Sequence, residues 1–211
     1  MEGRLTLQAG QVMFYRIDEC VDSSPQAESV LFVHGIGESG AAWAAWVPHF
    51  TPWYRLIRID QRGFGRSTPM PEDFPWSLDL MANDLVFAIG ELAPAGVHVV
   101  AAKAGGAVAI KAATLRPDLV RSLTLAGTPV IGPDTRPSIQ HIEQHGLQSW
   151  VRDTLDARFG AQLDSAAREW WIGLMSATPR STIIGFLRFI STVDVTSLLP
   201  VLSEQFLNSI I

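Results

Sequence analysis

The sequence predicts an α/β protein built on a doubly wound, mostly parallel sheet. Short apolar runs, each of strand length, alternate with longer segments of helical periodicity between residues 30 and 127. Because a helix that follows each strand returns the chain to the same end of the sheet, consecutive strands lie parallel and both faces are covered. The strands are expected at 30–33, 56–59, 97–102 and 122–126, and the helices at 40–50, 78–89 and 105–115.

Segments of different character lie before and after this alternation. Residues 5–7 and 12–17 predict an amino-terminal hairpin, and a polar loop follows through Ser23. Residues 138–192 have helical periodicity with breaks at Gly146, Gly160 and Pro179. We interpret them as a helical lid over the carboxyl ends of the strands, where open α/β sheets place ligands. The alternative is a plain continuation of the domain's helices. The expected division is a core over 1–134, a lid over 135–197, and a return segment and divergent tail over 198–211.

Composition excludes several classes of protein. The chain has 211 residues, of which 47% are hydrophobic and 18% charged, which argues against disorder. A net charge of −5 without a basic stripe gives no support for nucleic-acid binding. The single cysteine, Cys20, excludes an internal disulfide framework. Neither a signal peptide nor a membrane span is present, so we expect a cytoplasmic protein with no membrane partner.

The most informative segment is the junction of a strand and a helix at Lys103. The apolar strand 97–102 runs directly into Gly105 and an alanine-rich helix. A sharp turn of this kind usually carries a nucleophilic serine in the pattern G-x-S-x-G. Here Ala101 takes the place of the first glycine, Gly105 is the second, and Lys103 occupies the serine position. The turn is present and the usual nucleophile is not.

Four motifs in a fixed order then indicate a family. They are His34-Gly35-Ile36-Gly37 after one strand, residues 60–67 after the next, the turn at Lys103, and residues 116–118 before a further strand. Over about residues 5–200 the chain resembles the α/β-hydrolase family, in its lidded subgroup of esterases, lactonases and carbon–carbon bond hydrolases. The resemblance implies hydrolysis of esters, lactones or related carbonyl compounds, with a small-molecule carbonyl substrate or apolar ligand as the partner. It implies no metal and no organic cofactor.

The resemblance also suggests roles for individual residues. The backbone amides of Ile36 and Ala104 stand where the family stabilises a developing oxyanion, and loss of one such donor typically costs about 3–4 kcal/mol. Lys103 is the candidate catalytic residue. His34 is expected to be more structural than catalytic, and Arg62 to pair with backbone or carboxylate groups beneath the site. The residues expected to line or support the pocket are His34, Gly35, Gly37, Gly105, Arg62, Trp150 and Trp171.

Three interpretations of Lys103 remain open. Burial could give a neutral amine that acts as a base or forms a Schiff base with a carbonyl substrate. The lysine could instead stay charged and bind a carboxylate or an enolate. It could also mark a site that no longer works. Serine-type hydrolysis is expected to be impaired in each case, because an acyl group on lysine is a stable amide.

The end of the chain reinforces this expectation. In the family, two further strand–helix units follow the lid, with the acid after one strand and the base histidine after the last. The tail 203–211 does not read as the apolar strand expected there. We therefore expect the acid and the histidine to be absent, and the strand 122–126 to present an exposed sheet edge open to self-association. His141 and His145 lie four residues apart without an apparent third ligand, so no metal site is expected. The competing hypothesis is a non-catalytic protein that binds a small ligand or interacts with another protein.

Overall fold

A computed structural model of the chain describes residues 1–20 and 27–202. These residues form a six-stranded sheet with the strand order β1-β2-β4-β3-β5-β6. The strands are β1 (Glu2–Thr6), β2 (Val12–Asp18), β3 (Ser29–Val33), β4 (Arg55–Asp60), β5 (Val97–Ala102) and β6 (Val120–Ala126). The polar loop expected around Ser23 and the tail 203–211 lie outside the described residues.

The sheet combines an antiparallel start with a parallel body. Strands β1 and β2 form the expected hairpin, and β2 also pairs antiparallel with β4. Strand β3 lies parallel between β4 and β5, and β5 pairs parallel with β6. The carboxyl ends of four parallel strands therefore meet at one edge, where α/β sheets hold their functional loops.

Both faces of the sheet are covered, as expected for a doubly wound fold. Along β3, Leu31 and Val33 enter one hydrophobic cluster while Val30 and Phe32 enter another. The larger cluster includes the apolar faces of α2 (Leu78–Leu92) and α3 (Ala104–Leu115). Trp43 from a 3-10 helix, Gly40–Trp46, packs in the smaller cluster. Alternate side chains of one strand thus hold helices on opposite faces.

The segment 40–50 is not the single helix that its sequence suggests. The 3-10 helix Gly40–Trp46 is followed by the short helix α1 (Val47–Phe50). Pro48 lies in the first turn of α1, where its missing N–H would be unbonded in any helix. In a continuous α-helix the backbone N–H of residue 48 would donate to the carbonyl oxygen four residues earlier. Proline has no N–H, so Pro48 favours the start of a new helix at this point.

Four consecutive helices follow the sheet's last described strand. They are α4 (Arg136–His145), α5 (Leu147–Phe159), α6 (Ser165–Ser176) and α7 (Arg180–Ile190). The helix breaks fall at or next to Gly146, Gly160 and Pro179, as the sequence suggests. None of the described helices has the length and apolar character needed to cross a membrane.

Candidate active site around Lys103

Lys103 occupies the apex of the turn between β5 and α3 in a conformation that side chains rarely adopt. Its backbone angles are φ 51° and ψ −126°, and among the described non-glycine residues only Ala9 also has a positive φ. A hydrogen bond to β6 holds the turn in place: the Lys103 N–H donates to the Ala126 carbonyl oxygen at 2.9 Å. A positive φ costs free energy in any residue other than glycine, so packing must impose this geometry.

Glycine allows the helix after the turn to approach the sheet. A Cβ atom placed on Gly105 would lie 2.4 Å from the His34 carbonyl oxygen, well inside van der Waals contact. The start of α3 therefore lies directly against the end of β3. This contact brings the loop after β3 beside Lys103.

The ammonium group of Lys103 forms an ion pair within the site. Its Nζ donates to Oε1 of Glu38 at 2.9 Å, and it also lies 4.4 Å from the centre of the Phe159 ring. The Glu38 side chain is only 4% exposed, and its Oε2 accepts the Gly35 N–H at 3.1 Å. A charged lysine has no lone pair with which to attack a carbonyl carbon. A charged lysine can instead donate hydrogen bonds to a negatively charged or polarised oxygen.

A cavity of about 720 Å³ opens at the Lys103–Glu38 pair. This volume lies in the range of small-molecule sites. No histidine is among the described residues that line it. Its walls are largely aromatic and small apolar side chains, with Glu38, Lys103 and Arg158 as the charged groups; the others are Ala42, Trp43, Trp46, Ala102, Ala126, Gly127, Ala157, Phe159 and Trp171.

Two backbone N–H groups near Lys103, those of Ile36 and Ala104, form no hydrogen bond with the described residues. Ala104 is the first residue of α3, where an N–H has no partner within the helix. The N-terminal end of a helix carries a partial positive charge, so an anionic or polarised oxygen is favoured there.

The family follows from comparison with known proteins. Residues 28–171 match the family model described as the alpha/beta hydrolase fold. This chain belongs to the α/β-hydrolase family. The match includes β3 to β6, the Lys103 turn and helices α4 and α5, which confirms the fold class expected from the sequence.

Two curated relatives are similar over parts of this α/β-hydrolase. A pimeloyl-[acyl-carrier protein] methyl ester esterase of Methylococcus capsulatus is 39% identical over 52% of this chain and 41% of its own length. Epoxide hydrolase B of Mycobacterium tuberculosis is 30% identical over 75% of this chain and 49% of its own. The chain thus spans less than half the length of either relative.

Solved structures of the family share the fold at low sequence identity. The enol-lactonase of Burkholderia xenovorans LB400 has a TM-score of 0.83 at 17% identity, covering 94% of this chain and 76% of the lactonase. An esterase of Exiguobacterium antarcticum has a TM-score of 0.84 at 19% identity, covering 95% of this chain and 77% of the esterase. At these identities, both similarities show a shared fold and nothing more specific.

His34 and Arg62, expected to support the site, lie in the interior beneath it. Nε2 of His34 accepts the Gln61 N–H at 2.9 Å, so its Nδ1 carries the proton, 2.7 Å from the Gly35 carbonyl oxygen. Burial lowers the pKa of His34, which favours the neutral ring. The Arg62 guanidinium forms two hydrogen bonds with the Asp84 carboxylate, at 2.6 and 2.8 Å. These contacts are structural, and neither residue lines the cavity.

The other expected site residues take different positions. A Cβ on Gly35 would lie 3.2 Å from Lys103, while one on Gly37 would face Met175. Trp171 lines the cavity and stacks on Phe159, with ring centres 4.1 Å apart. Trp150 is buried at 3% exposure, does not line the cavity, and packs against Arg158.

The two neighbouring histidines of α4 lie outside the site. The rings of His141 and His145 are 4.9 Å apart, and His141 interacts with Ser149 and Asp153. Within residues 1–20 and 27–202, no group of three or more potential ligands could hold a metal ion.

Two residues of the cavity wall, Glu38 and Arg158, are not among those predicted from the sequence. Glu38 follows the glycine turn after β3, and an acid there could have been noted as a partner for Lys103. Arg158 lies at the end of α5, 55 positions after Lys103 by numbering, and no local pattern relates the two. Their meeting at one cavity depends on how α5 packs against α4 and α6, which places its last residues beside Lys103.

Proposed function

We propose that this chain binds small esters, lactones or related carbonyl compounds in the Lys103 cavity and hydrolyses them slowly, being impaired as a serine-type hydrolase. The observation that carries the proposal is the Lys103 ammonium at the apex of the turn, 2.9 Å from Oε1 of Glu38. Membership of the α/β-hydrolase family supports hydrolysis, and the relative named as a methyl ester esterase supports ester substrates. A cytoplasmic location and independence of cofactors stay predictions.

The chemistry of this site differs from the serine route in its first step. The amides of Ile36 and Ala104 would donate to the carbonyl oxygen as it gains negative charge, with the Lys103 ammonium nearby. Water adds to the carbonyl carbon, the bond to the alcohol oxygen breaks, and a proton from the water passes to the leaving alkoxide. No acyl-enzyme forms. Oxyanion stabilisation and binding alone retain about 10³-fold acceleration in enzymes that have lost their catalytic residues.

Hydrolysis of 4-nitrophenyl acetate and γ-butyrolactone, followed in a pH-stat, tests this proposal. We expect slow turnover above the buffer rate with no initial burst, and a several-fold loss in Lys103→Met. Lys111→Met is the matched control, since Lys111 lies on α3 but pairs with Asp79 away from the cavity. Rapid turnover that Lys103→Ala leaves undiminished would overturn the proposal.

A second candidate function is non-catalytic binding of a small apolar ligand. It is favoured by the engagement of Lys103 with Glu38 and by the lack of a histidine among the described residues of the cavity wall. If methyl phenylacetate binds in the cavity, but 4-nitrophenyl acetate and γ-butyrolactone are hydrolysed no faster than in buffer alone, this second function replaces the first.

A further inference from the structure

Arg158 is a cation without an anionic partner at the wall of the cavity. Among the described residues, three arginines form no ion pair: Arg4, Arg158 and Arg180. Arg4 and Arg180 are exposed to solvent, whereas Arg158 is partly buried and lines the cavity. Burial lowers the pKa of Arg158, partly offset by the charge of Glu38. The guanidinium is therefore incompletely solvated, and no carboxylate of residues 1–20 or 27–202 forms an ion pair with it.

The contacts of Arg158 hold it in place without neutralising it. Its Nε donates to the Thr154 hydroxyl oxygen at 3.1 Å, and its guanidinium carbon lies 4.5 Å from the centre of the Trp150 ring. Both contacts come from the same helix, α5. They leave the terminal nitrogens, which carry most of the donors, without a partner in the described part of the chain.

Glu38, the one acidic residue among the described residues of the cavity wall, already has two hydrogen-bond partners. Its two oxygens accept hydrogen bonds from Lys103 and from the Gly35 N–H. The wall thus carries two cations and one anion, which leaves one formal positive charge, and the start of α3 adds a partial positive charge. A partly desolvated cation is costly unless an anion pairs with it. No further carboxylate of the described residues lines the cavity, so the balancing charge is left for a ligand to supply.

The other residues of the cavity wall are apolar, so they favour a ligand whose larger part is apolar. Trp43, Trp46, Phe159 and Trp171 line the cavity, whose volume of about 720 Å³ suits a small molecule. An anion without an apolar portion would leave these rings uncovered. A planar guanidinium binds a carboxylate through two parallel hydrogen bonds, a geometry that few other groups match.

We propose that the ligand of this cavity carries a carboxylate on an apolar or aromatic body, and that Arg158 is the residue that binds the carboxylate. This inference rests on the proposed function and narrows its substrate class to carbonyl compounds that bear a free carboxylate. Arg158 acts in binding, and Lys103 with the amides of Ile36 and Ala104 acts on the carbonyl oxygen.

The test compares phenylacetate with methyl phenylacetate, which share a body and differ in charge. Binding is measured by two-dimensional NMR titration of the full chain, with 2-phenylethylamine as the cationic counterpart. We expect the wild type to bind phenylacetate more tightly than the ester and not to bind the amine. Arg158→Gln should weaken phenylacetate binding about tenfold or more and leave the ester unchanged, because truncating a buried charge partner removes a strong interaction.

Two further variants make the result specific. Arg152→Gln is the same change on the same helix, at an exposed arginine that pairs with Glu169, and it should leave both affinities within twofold. Arg158→Lys keeps the charge and loses the planar fork, so it should retain part of the preference for phenylacetate. NMR spectra of each variant establish that it is folded.

The outcomes separate the two proposals. If folded Arg158→Gln keeps the wild-type affinity for phenylacetate, or if Arg152→Gln loses as much, the role of Arg158 is refuted. If the ester binds and phenylacetate binds no more tightly, the carboxylate inference falls and the proposed function stands. If neither compound binds, the proposed function falls and this inference falls with it.

Discussion

At the scale of single residues, Lys103 combines an unfavourable backbone with a favourable ion pair. Its φ of 51° lies in the region that favours glycine, and its Nζ pairs with Glu38 at 2.9 Å. Strained backbone of this kind costs about 1–3 kcal/mol and is typical of functional sites. The Lys103 side chain lines the cavity, and the strained turn places its ammonium group at the end of β5.

Comparing Lys103→Gly with Lys103→Ala isolates the backbone contribution. Both substitutions remove the ion pair with Glu38, but only glycine adopts the positive φ without strain. We expect the glycine variant to be more stable than the alanine variant by about 1 kcal/mol, after the greater freedom of glycine in the unfolded chain is subtracted. Urea unfolding of the two variants measures the difference. Equal stability, or a more stable alanine variant, would show that the turn is not strained.

At the scale of secondary-structure elements, the site depends on the contact between α3 and β3. Gly105 lets the start of α3 approach the His34 carbonyl oxygen, and the loop after β3 supplies Glu38 to Lys103. A second contact fixes α2, whose buried Asp84 binds Arg62 from the loop after β4. Helices on the sheet are therefore positioned by specific close contacts as well as by apolar packing.

Gly105→Ala is expected to destabilise the protein by about 1–3 kcal/mol, since the added methyl group forces the helix away from the sheet. The clash is with backbone, because the new Cβ would lie 2.4 Å from the His34 carbonyl oxygen. Gly90→Ala is the matched control: Gly90 is exposed within α2, with nothing inside 4 Å of its added Cβ. That variant should gain about 0.5–1 kcal/mol from helix propensity. Thermal unfolding compares them, and a destabilisation common to both would contradict the assigned role of Gly105.

At the scale of the whole molecule, β6 is one of the two edge strands of the described sheet, and β1 is the other. It pairs with β5 on one side, and no strand within residues 1–20 or 27–202 pairs with its other side. Leu125 on this strand is 39% exposed. Unpaired backbone groups beside exposed apolar side chains are a template for pairing with another chain.

We therefore predict that the protein self-associates through β6. Leu125→Lys should lower self-association, because a charge at a strand edge opposes pairing with another strand. Phe87→Lys is the control, since Phe87 has a similar exposure of 40% but lies on α2. Sedimentation velocity over a range of concentrations measures the effect. A wild type that stays monomeric throughout, or an equal response to both substitutions, would contradict the prediction.

The amino-acid sequence by itself determined the α/β class, the amino-terminal hairpin, the helix breaks at Gly146, Gly160 and Pro179, and the unusual lysine at the β5–α3 turn. These features follow from hydrophobic periodicity and from the restricted backbones of glycine and proline, which act over a few residues. Only the tertiary structure decided that Lys103 pairs with Glu38, 65 positions away, and that Arg158 of α5 lines the same cavity without an ion pair to any described carboxylate. Side-chain contacts of this kind depend on how distant elements pack, and no local pattern in the chain specifies that packing.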